Sequence, residues 1–264
     1  MYVTKRKRVI KLPDGKEIDF GAWKLTDFIM PDSYASQAVF AEAWGRLSQF
    51  FAENPDYARK IEKIIGLDNM VIKEIWNVVN IEIKYRHDDP VFQTPDFWML
   101  PNEVWTQKKG DCEDVSFLLE SAIRGFSREA QAYATLGIYL DPFSRKPYGH
   151  AWVLYKADFY PRWLWLETTW DTAVPQSVWY VWDPDTLVPV YWFSEREAHR
   201  VDRDFEMLGL TGEYVRKHNY LIRAMIDYVE EGVRLNYKFM HKGIRTPRAT
   251  EKIVLAGKCL RCRR

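Results

Sequence analysis

The chain has no apolar run close to the roughly 18 residues that a membrane-spanning helix needs, so no transmembrane segment is expected. Its basic start, Met1-Tyr2-Val3-Thr4-Lys5-Arg6-Lys7-Arg8, leads into no apolar stretch and does not read as a signal peptide. Cysteine is scarce, three in 264 residues, which is no disulfide framework for a chain of this size. Together these absences predict a cytoplasmic location with reduced thiols. There is no Walker A sequence, no GxGxxG and no HExxH, so the usual phosphate, dinucleotide and zinc-protease sites are excluded. Cys259-Leu260-Arg261-Cys262 is a lone CxxC. A structural zinc needs four ligands, and no second pair exists. No metal and no cofactor is therefore expected, and the CxxC reads as an oxidisable tail. Internal repeats and low-complexity linkers are missing too.

What is present is ordinary globular composition, 47% hydrophobic and 28% charged, with an excess of aromatics at 16%. Seven of the twelve tryptophans fall between Trp152 and Trp192, so one part of the fold is built from tryptophan. They read as core and cleft wall rather than as a carbohydrate platform. The length suggests one domain with additions. The net charge of +1 hides an uneven distribution. Residues 1–11 carry five basic side chains and no acidic one, and residues 242–264 have a net +7, which leaves −11 on the body. Basic ends on an acidic body suit weak contact with an anionic partner such as nucleic acid; simple solvation of the termini is the competing expectation.

Periodicity predicts the order of elements. Arg8–Leu12 and Lys16–Phe20 read as a hairpin across Pro13-Asp14-Gly15. Phe40, Trp44, Leu47 and Phe51 share one helix face. Asn54 is placed as N-cap and Pro55 at N1 of a second helix, with Tyr57, Ile61, Ile64 and Ile65 inward and Gly66 as its stop. A third helix starts near Asp68. Residues 85–101 read as a loop. A central helix opens at Asp111, carries Val115, Leu118, Leu119, Ala122 and Ile123, and closes at Gly125. Then come strands over 130–140, 149–157 and 162–168, and a hairpin of 178–182 with 188–193. From Glu195 the chain returns to helix, with a long final stripe through Met240. Consecutive strands without intervening helices mean an antiparallel sheet, hence α+β. The division expected is 1–35 as hairpin and lead-in, 36–194 as the main domain, and 195–264 as a helical extension with a basic tail.

Gly110-Asp111-Cys112-Glu113-Asp114 is the stretch that carries chemistry. Asp111 is placed as N-cap and Asp114 at N3, a capping box with Asp for Glu. Cys112 then stands at N1, where unpaired N–H groups and the helix dipole favour a thiolate. Three nearby carboxylates oppose that, so a basic partner is needed. His150 opens the strand His150-Ala151-Trp152-Val153 after a predicted loop. Seventeen residues later, Glu167 ends Trp163-Leu164-Trp165-Leu166. If these strands are antiparallel neighbours, Glu167 meets the second ring nitrogen of His150. Nucleophile, base and orienter are then all present.

The stretch from about Val71 to Trp170 resembles the transglutaminase-like superfamily, which shares the papain-like cysteine chemistry. Three matches carry the resemblance: Gly110-Asp111-Cys112-Glu113-Asp114, His150-Ala151-Trp152-Val153, and Trp165-Leu166-Glu167-Thr168-Thr169. Tyr85, Asp88 and the region from Trp98 to Trp105 fit the family's lead-in. The resemblance implies a Cys112–His150–Glu167 triad and acyl transfer on an amide, through an acyl-enzyme resolved by water or by an amine. It also implies a peptide or protein amide as substrate. The family usually has Asp followed by Pro-Thr at the acid position, so Asp171 is a second candidate for the acid. An oxyanion donor should accompany the Cys112 N–H; Trp105 and Gln107 lie just upstream, and Trp152 and Trp170 are placed to shape the cleft. His87, His199, His218 and His241 have no comparable context. Two other readings stay open. One is a scaffold or assembly module that uses the same fold and the basic tails. The other is a different acyl-transfer enzyme on the same core, such as an arylamine N-acetyltransferase or a peptide:N-glycanase, the latter weakened by the absence of paired CxxC motifs before the nucleophile.

Overall fold

The computed structural model describes residues 2–11, 17–86, 98–169, 178–230 and 252–254. The chain opens with β1 (Tyr2–Lys11) and β2 (Glu17–Lys24), an antiparallel pair longer than the predicted hairpin. Its predicted turn lies outside the described residues. Three helices follow: α1 (Tyr34–Glu53), α2 (Pro55–Ile65) and α3 (Leu67–Glu82). Ser33 caps α1 by accepting from Ser36 N–H at 3.2 Å, the side-chain cap expected of serine. Pro55 stands at N1 of α2 as predicted. Asn54 behaves otherwise: its amide donates back to Phe50 O of α1 at 3.3 Å and makes no side-chain cap for α2.

The buried faces of these helices match the predicted ones in part: Leu47 and Ile65 are buried and Phe40, Phe51 and Ile61 pack half-buried against the core. In α1 the residues sealed in are Ala35, Val39, Ala43 and Leu47, while Trp44 is exposed. In α2 Ala58 and Ile65 are buried and Ile64 is exposed. The small residues let the helix backbones come close, and this outweighs the larger side chains that dominate the periodicity.

A two-residue parallel ladder comes next. β3 (Lys84–Tyr85) pairs with β4 (Lys109–Gly110), with Tyr85 opposite Gly110, and the short α4 (Pro101–Gln107) precedes β4. The central helix α5 (Cys112–Phe126) follows at once, and every residue from Cys112 to Arg124 is buried. Such a helix is covered on all sides: α1, α3 and α4 pack on it from one direction and β5 and β6 from another. Phe28, Trp98, Phe117 and Phe193 lock the layers together, with ring centroids 5.2–5.7 Å apart. Gly125 does not end α5. It lies inside the helix because a Cβ there would sit 2.7 Å from Pro31 O, so it serves close packing instead of termination.

The sheet is antiparallel, as α+β requires. Its strands are β5 (Ala132–Leu140), β6 (Pro147–Tyr155), β7 (Leu164–Leu166), β8 (Val178–Val181), β9 (Leu187–Phe193), β10 (Ala198–Arg200) and β11 (Lys252–Val254), in the order β10-β9-β5-β6-β7-β8-β11. β8 and β9 are therefore not the predicted hairpin. β8 pairs with β7 and β9 with β5. Trp182 leaves β8 by donating its N–H to Trp163 O, and Thr186 O accepts from Leu140 N–H, so the connection is bonded across the ends of other strands.

After the sheet the chain does not return directly to helix at Glu195. β10 intervenes, followed by α6 (Val201–Asp204), a 3-10 turn (Phe205–Leu208) and α7 (Gly212–Glu230). The predicted stripe beyond Glu230 lies outside the described residues. Part of the expected basic tail is built into the fold, since Lys252, Ile253 and Val254 pair with Tyr180, Trp179 and Val178 at the sheet edge. Among the described residues, no helix is long and apolar enough to cross a membrane.

Candidate active site

Cys112 is the first residue of α5 and is buried. The predicted cap is partly realised: Asp114 at N3 accepts from Asp111 N–H at 3.4 Å through one carboxylate oxygen, and from Met99 N–H at 2.6 Å through the other. Asp114 thus ties the approach to α4 to the start of α5. Gly110 is required for this, since a Cβ there would lie 2.8 Å from Asp114 Cβ.

The opposition of the nearby carboxylates, expected from the sequence, is strong at this helix start. Cys112 Sγ donates to Glu113 Oε2 at 3.0 Å. Burial, the charges of Glu113 and Asp111, and that hydrogen bond push the thiol well above its ordinary range. The polar N–H of Ala151 on β6 opposes them only in part. The helix terminus is outweighed because a sulfur anion would stand beside two buried carboxylates in a medium of low dielectric. α5, which starts at Cys112, packs on β6, the strand that carries His150.

His150 and Glu167 meet as predicted. His150 Nε2 and Glu167 Oε2 are 3.0 Å apart, and both side chains are buried. The antiparallel register of β6 with β7, Val153 opposite Leu166, brings the two ends together. Glu167 is held on every side. Its Oε1 accepts from Thr168 N–H at 2.9 Å, Thr169 N–H at 2.8 Å and Thr169 Oγ1 at 2.7 Å. Its backbone carbonyl accepts from Trp76 Nε1 at 2.7 Å and Asn80 Nδ2 at 3.1 Å, both on α3. Burial raises the carboxyl, but the His150 charge and the bonds from His150 and Thr169 outweigh it and hold Glu167 below the ordinary carboxylate range. Thr168 turns the other way, its hydroxyl 3.1 Å from Ser116 Oγ and 3.4 Å from Cys112 O, so the same tripeptide touches both the acid and the helix start.

Trp152 is buried and stacks on His150, with centroids 5.8 Å apart and 25° between planes, and Tyr139 meets the same imidazole edge-on at 6.4 Å. Space for Trp152 comes from Gly137, opposite His150: a Cβ at 137 would fall 2.6 Å from Trp152 Cη2 and 2.2 Å from Val188 O.

The two upstream oxyanion candidates are turned elsewhere. The exposed Gln107 donates to Met99 Sδ at 3.3 Å, and Trp105 lies under the Lys108 ammonium, 2.9 Å from its ring centroid. No observed contact brings either to Cys112. The reason is that α4 ends at Lys108, left-handed at φ 54, which turns the chain before β4. Asp171, Trp170, Cys259, Cys262, His87, Asp88 and His241 lie outside the described residues. His199 stacks on Trp192 at 5.6 Å and His218 pairs with Asp185 at 3.3 Å, both away from Cys112 in the chain's packing and structural in their contacts.

Two residues gain a place at the site that the sequence did not assign them. One is Glu113, signalled only by its acidity next to the cysteine. The other is Tyr85, which β3 sets opposite Gly110. Burial together with the charges of Asp111, Glu113 and Glu167 pushes its phenol far upward, so it keeps its proton. Tyr85 was legible as part of the lead-in, but a two-residue ladder across 25 positions leaves no pattern that places it at Gly110.

A cysteine on the first turn of a central helix, against an antiparallel sheet that pairs a histidine with an acid, is the arrangement that the resemblance read from the sequence leads one to expect. No family model matches the chain, and no curated protein matches it. Among solved structures it is similar to LapG of Legionella pneumophila, with 16% identity over 72% of this chain and 97% of that one and a TM-score of 0.40. It is also similar to a protein of Cytophaga hutchinsonii described as a candidate cysteine protease, with 16% identity over 68% of this chain and 48% of that one and a TM-score of 0.33.

Proposed function

We propose that the protein is a cysteine hydrolase or acyltransferase acting on an amide of a peptide or protein, with Cys112 as nucleophile, His150 as base and Glu167 as the acid that orients it. The observation that carries this reading is the His150 Nε2–Glu167 Oε2 pair at 3.0 Å on β6 and after β7, with Cys112 buried at the start of the helix that packs on β6. Glu167 occupies Nε2, so Nδ1 is the nitrogen left to take the thiol proton. The thiolate attacks the amide carbonyl. The donor proposed for the developing oxyanion is the Cys112 N–H, in the first turn of α5. His150 returns the proton to the departing amine, and water or a second amine resolves the acyl-enzyme.

The test is an electrophilic peptide probe followed by mass spectrometry of the adduct, alongside amide turnover. Wild type should be labelled at Cys112 and should release amine. Cys112→Ala should lose both, and Cys259→Ser with Cys262→Ser should keep most of both. Normal turnover in Cys112→Ala ends this reading.

A further inference from the structure

The strongest unexplained contact at the site joins the cysteine to its neighbour, and its meaning rests on the reading of Cys112 as nucleophile. Cys112 Sγ donates to Glu113 Oε2 at 3.0 Å, and both side chains are buried. A carboxylate accepts this bond only while the sulfur keeps its hydrogen; once the proton leaves, two anions face each other with little solvent between them. The charged and titratable groups of the surrounding elements are Asp111 and Glu113 at the start of α5 and Tyr85 on β3, which act on the sulfur, and Glu167 after β7, which acts on Tyr85 and is paired with His150 of β6. The His150 imidazole is already bonded to Glu167 through Nε2.

We propose that Glu113 is a positioning residue that holds the Cys112 thiol in a protonated resting form, and that the thiol must leave Glu113 for His150 Nδ1 before it can attack. In that step the S–H bond breaks, its electron pair stays on sulfur, and the proton moves to Nδ1, giving thiolate and imidazolium. Glu113 remains a carboxylate throughout and gains or loses no proton. The consequence is an enzyme whose nucleophile is quiet towards small electrophiles at neutral pH and becomes reactive when the Glu113 contact is lost. Such control has a use in a hydrolase, because an unprotected thiolate is open to oxidation.

The experiment is the pH dependence of iodoacetamide alkylation at Cys112, read peptide by peptide in the full chain by mass spectrometry so that Cys259 and Cys262 do not contribute. Wild type should alkylate with a midpoint above the ordinary thiol value of about 8.5. Glu113→Gln, which keeps the shape and removes the charge, should move the midpoint to lower pH and speed alkylation at pH 7 at least tenfold. Glu113→Asp, which keeps the charge, should stay slow at pH 7. A folded Glu113→Gln that alkylates no faster than wild type overturns the proposal. So does a wild-type midpoint at or below pH 7, which decides the matter even if the variants fail to fold. Faster alkylation in Glu113→Gln with no amide turnover in any form of the protein would instead overturn the catalytic reading and leave the Glu113 control of the thiol standing.

Discussion

Glu167 and Glu120 are both sealed from solvent, one following β7 and the other in the middle of α5. Around Glu167 the chain has gathered an imidazole, two backbone N–H groups and a hydroxyl. Around Glu120 it has gathered none, and neither carboxyl oxygen has a hydrogen-bond partner among the described residues. The nearest cation, Arg124, already gives two bonds of 2.9 Å to Glu195 and one of 2.8 Å to Ala130 O. The result is opposite chemistry at equal depth. Burial pushes Glu120 well above the carboxylate range, and Arg124 offsets only part of it. Glu167 stays below that range because its partners outweigh the same burial. Sealing a carboxyl does not decide its charge; the donors aimed at it do. The region around Glu167 is organised to keep a charge, and that is what a base-orienting acid needs.

The largest effect should come from cancelling the charge on the organised side. Glu167→Gln should lower amide turnover by about 10²–10⁴-fold, the usual contribution of a properly oriented general base. The loss should fall mainly on kcat, with circular dichroism unchanged. Turnover close to wild type would make the two glutamates alike in function and would remove Glu167 from the proposed triad.

The same change of charge on the other side should do the reverse. Glu120→Leu replaces an unpartnered polar group by an apolar one of similar size, and should stabilise the fold by about 1–3 kcal/mol in urea unfolding, the range set by an unsatisfied buried group. Turnover should be untouched. Destabilisation by Glu120→Leu would show that the carboxyl is held by something its contacts do not display.

The smallest effect is in the pH dependence of stability, where the signs differ. Glu167 is depressed in the folded state, so its contribution is present above the unfolded carboxylate value of about 4.3 and is lost as pH falls below it. Glu120 is raised in the folded state, so its contribution is full below about 4.3 and declines as pH climbs towards the folded value. Urea titrations between pH 3 and pH 8 should show Glu120→Gln flattening the upper arm only. Glu167→Gln should flatten the lower arm only. A single variant flattening both arms would break the contrast.

The ordered motifs were readable because they depend on local geometry. A helix start needs a capping position and an N3 acceptor, and Asp111 and Asp114 mark them beside Cys112, with Asp114 accepting from the Asp111 N–H. Alternation marks β6 and β7, and an antiparallel register follows from a short connection, so the meeting of His150 with Glu167 could be expected from their spacing. Tertiary structure decided what distance along the chain conceals. Short strands carry no label for their neighbour, so β8 goes to β7 and β9 to β5 instead of pairing with each other. Gly125 reads as a stop, yet it is needed inside α5 because Pro31 O approaches there. The charge state of the thiol was the furthest from view. A helix N-terminus acts over one turn and favours the anion, whereas burial and the side chain of Glu113 act only once the chain has closed around Cys112. At that depth the low dielectric makes the neighbouring carboxylates count for more than the helix end.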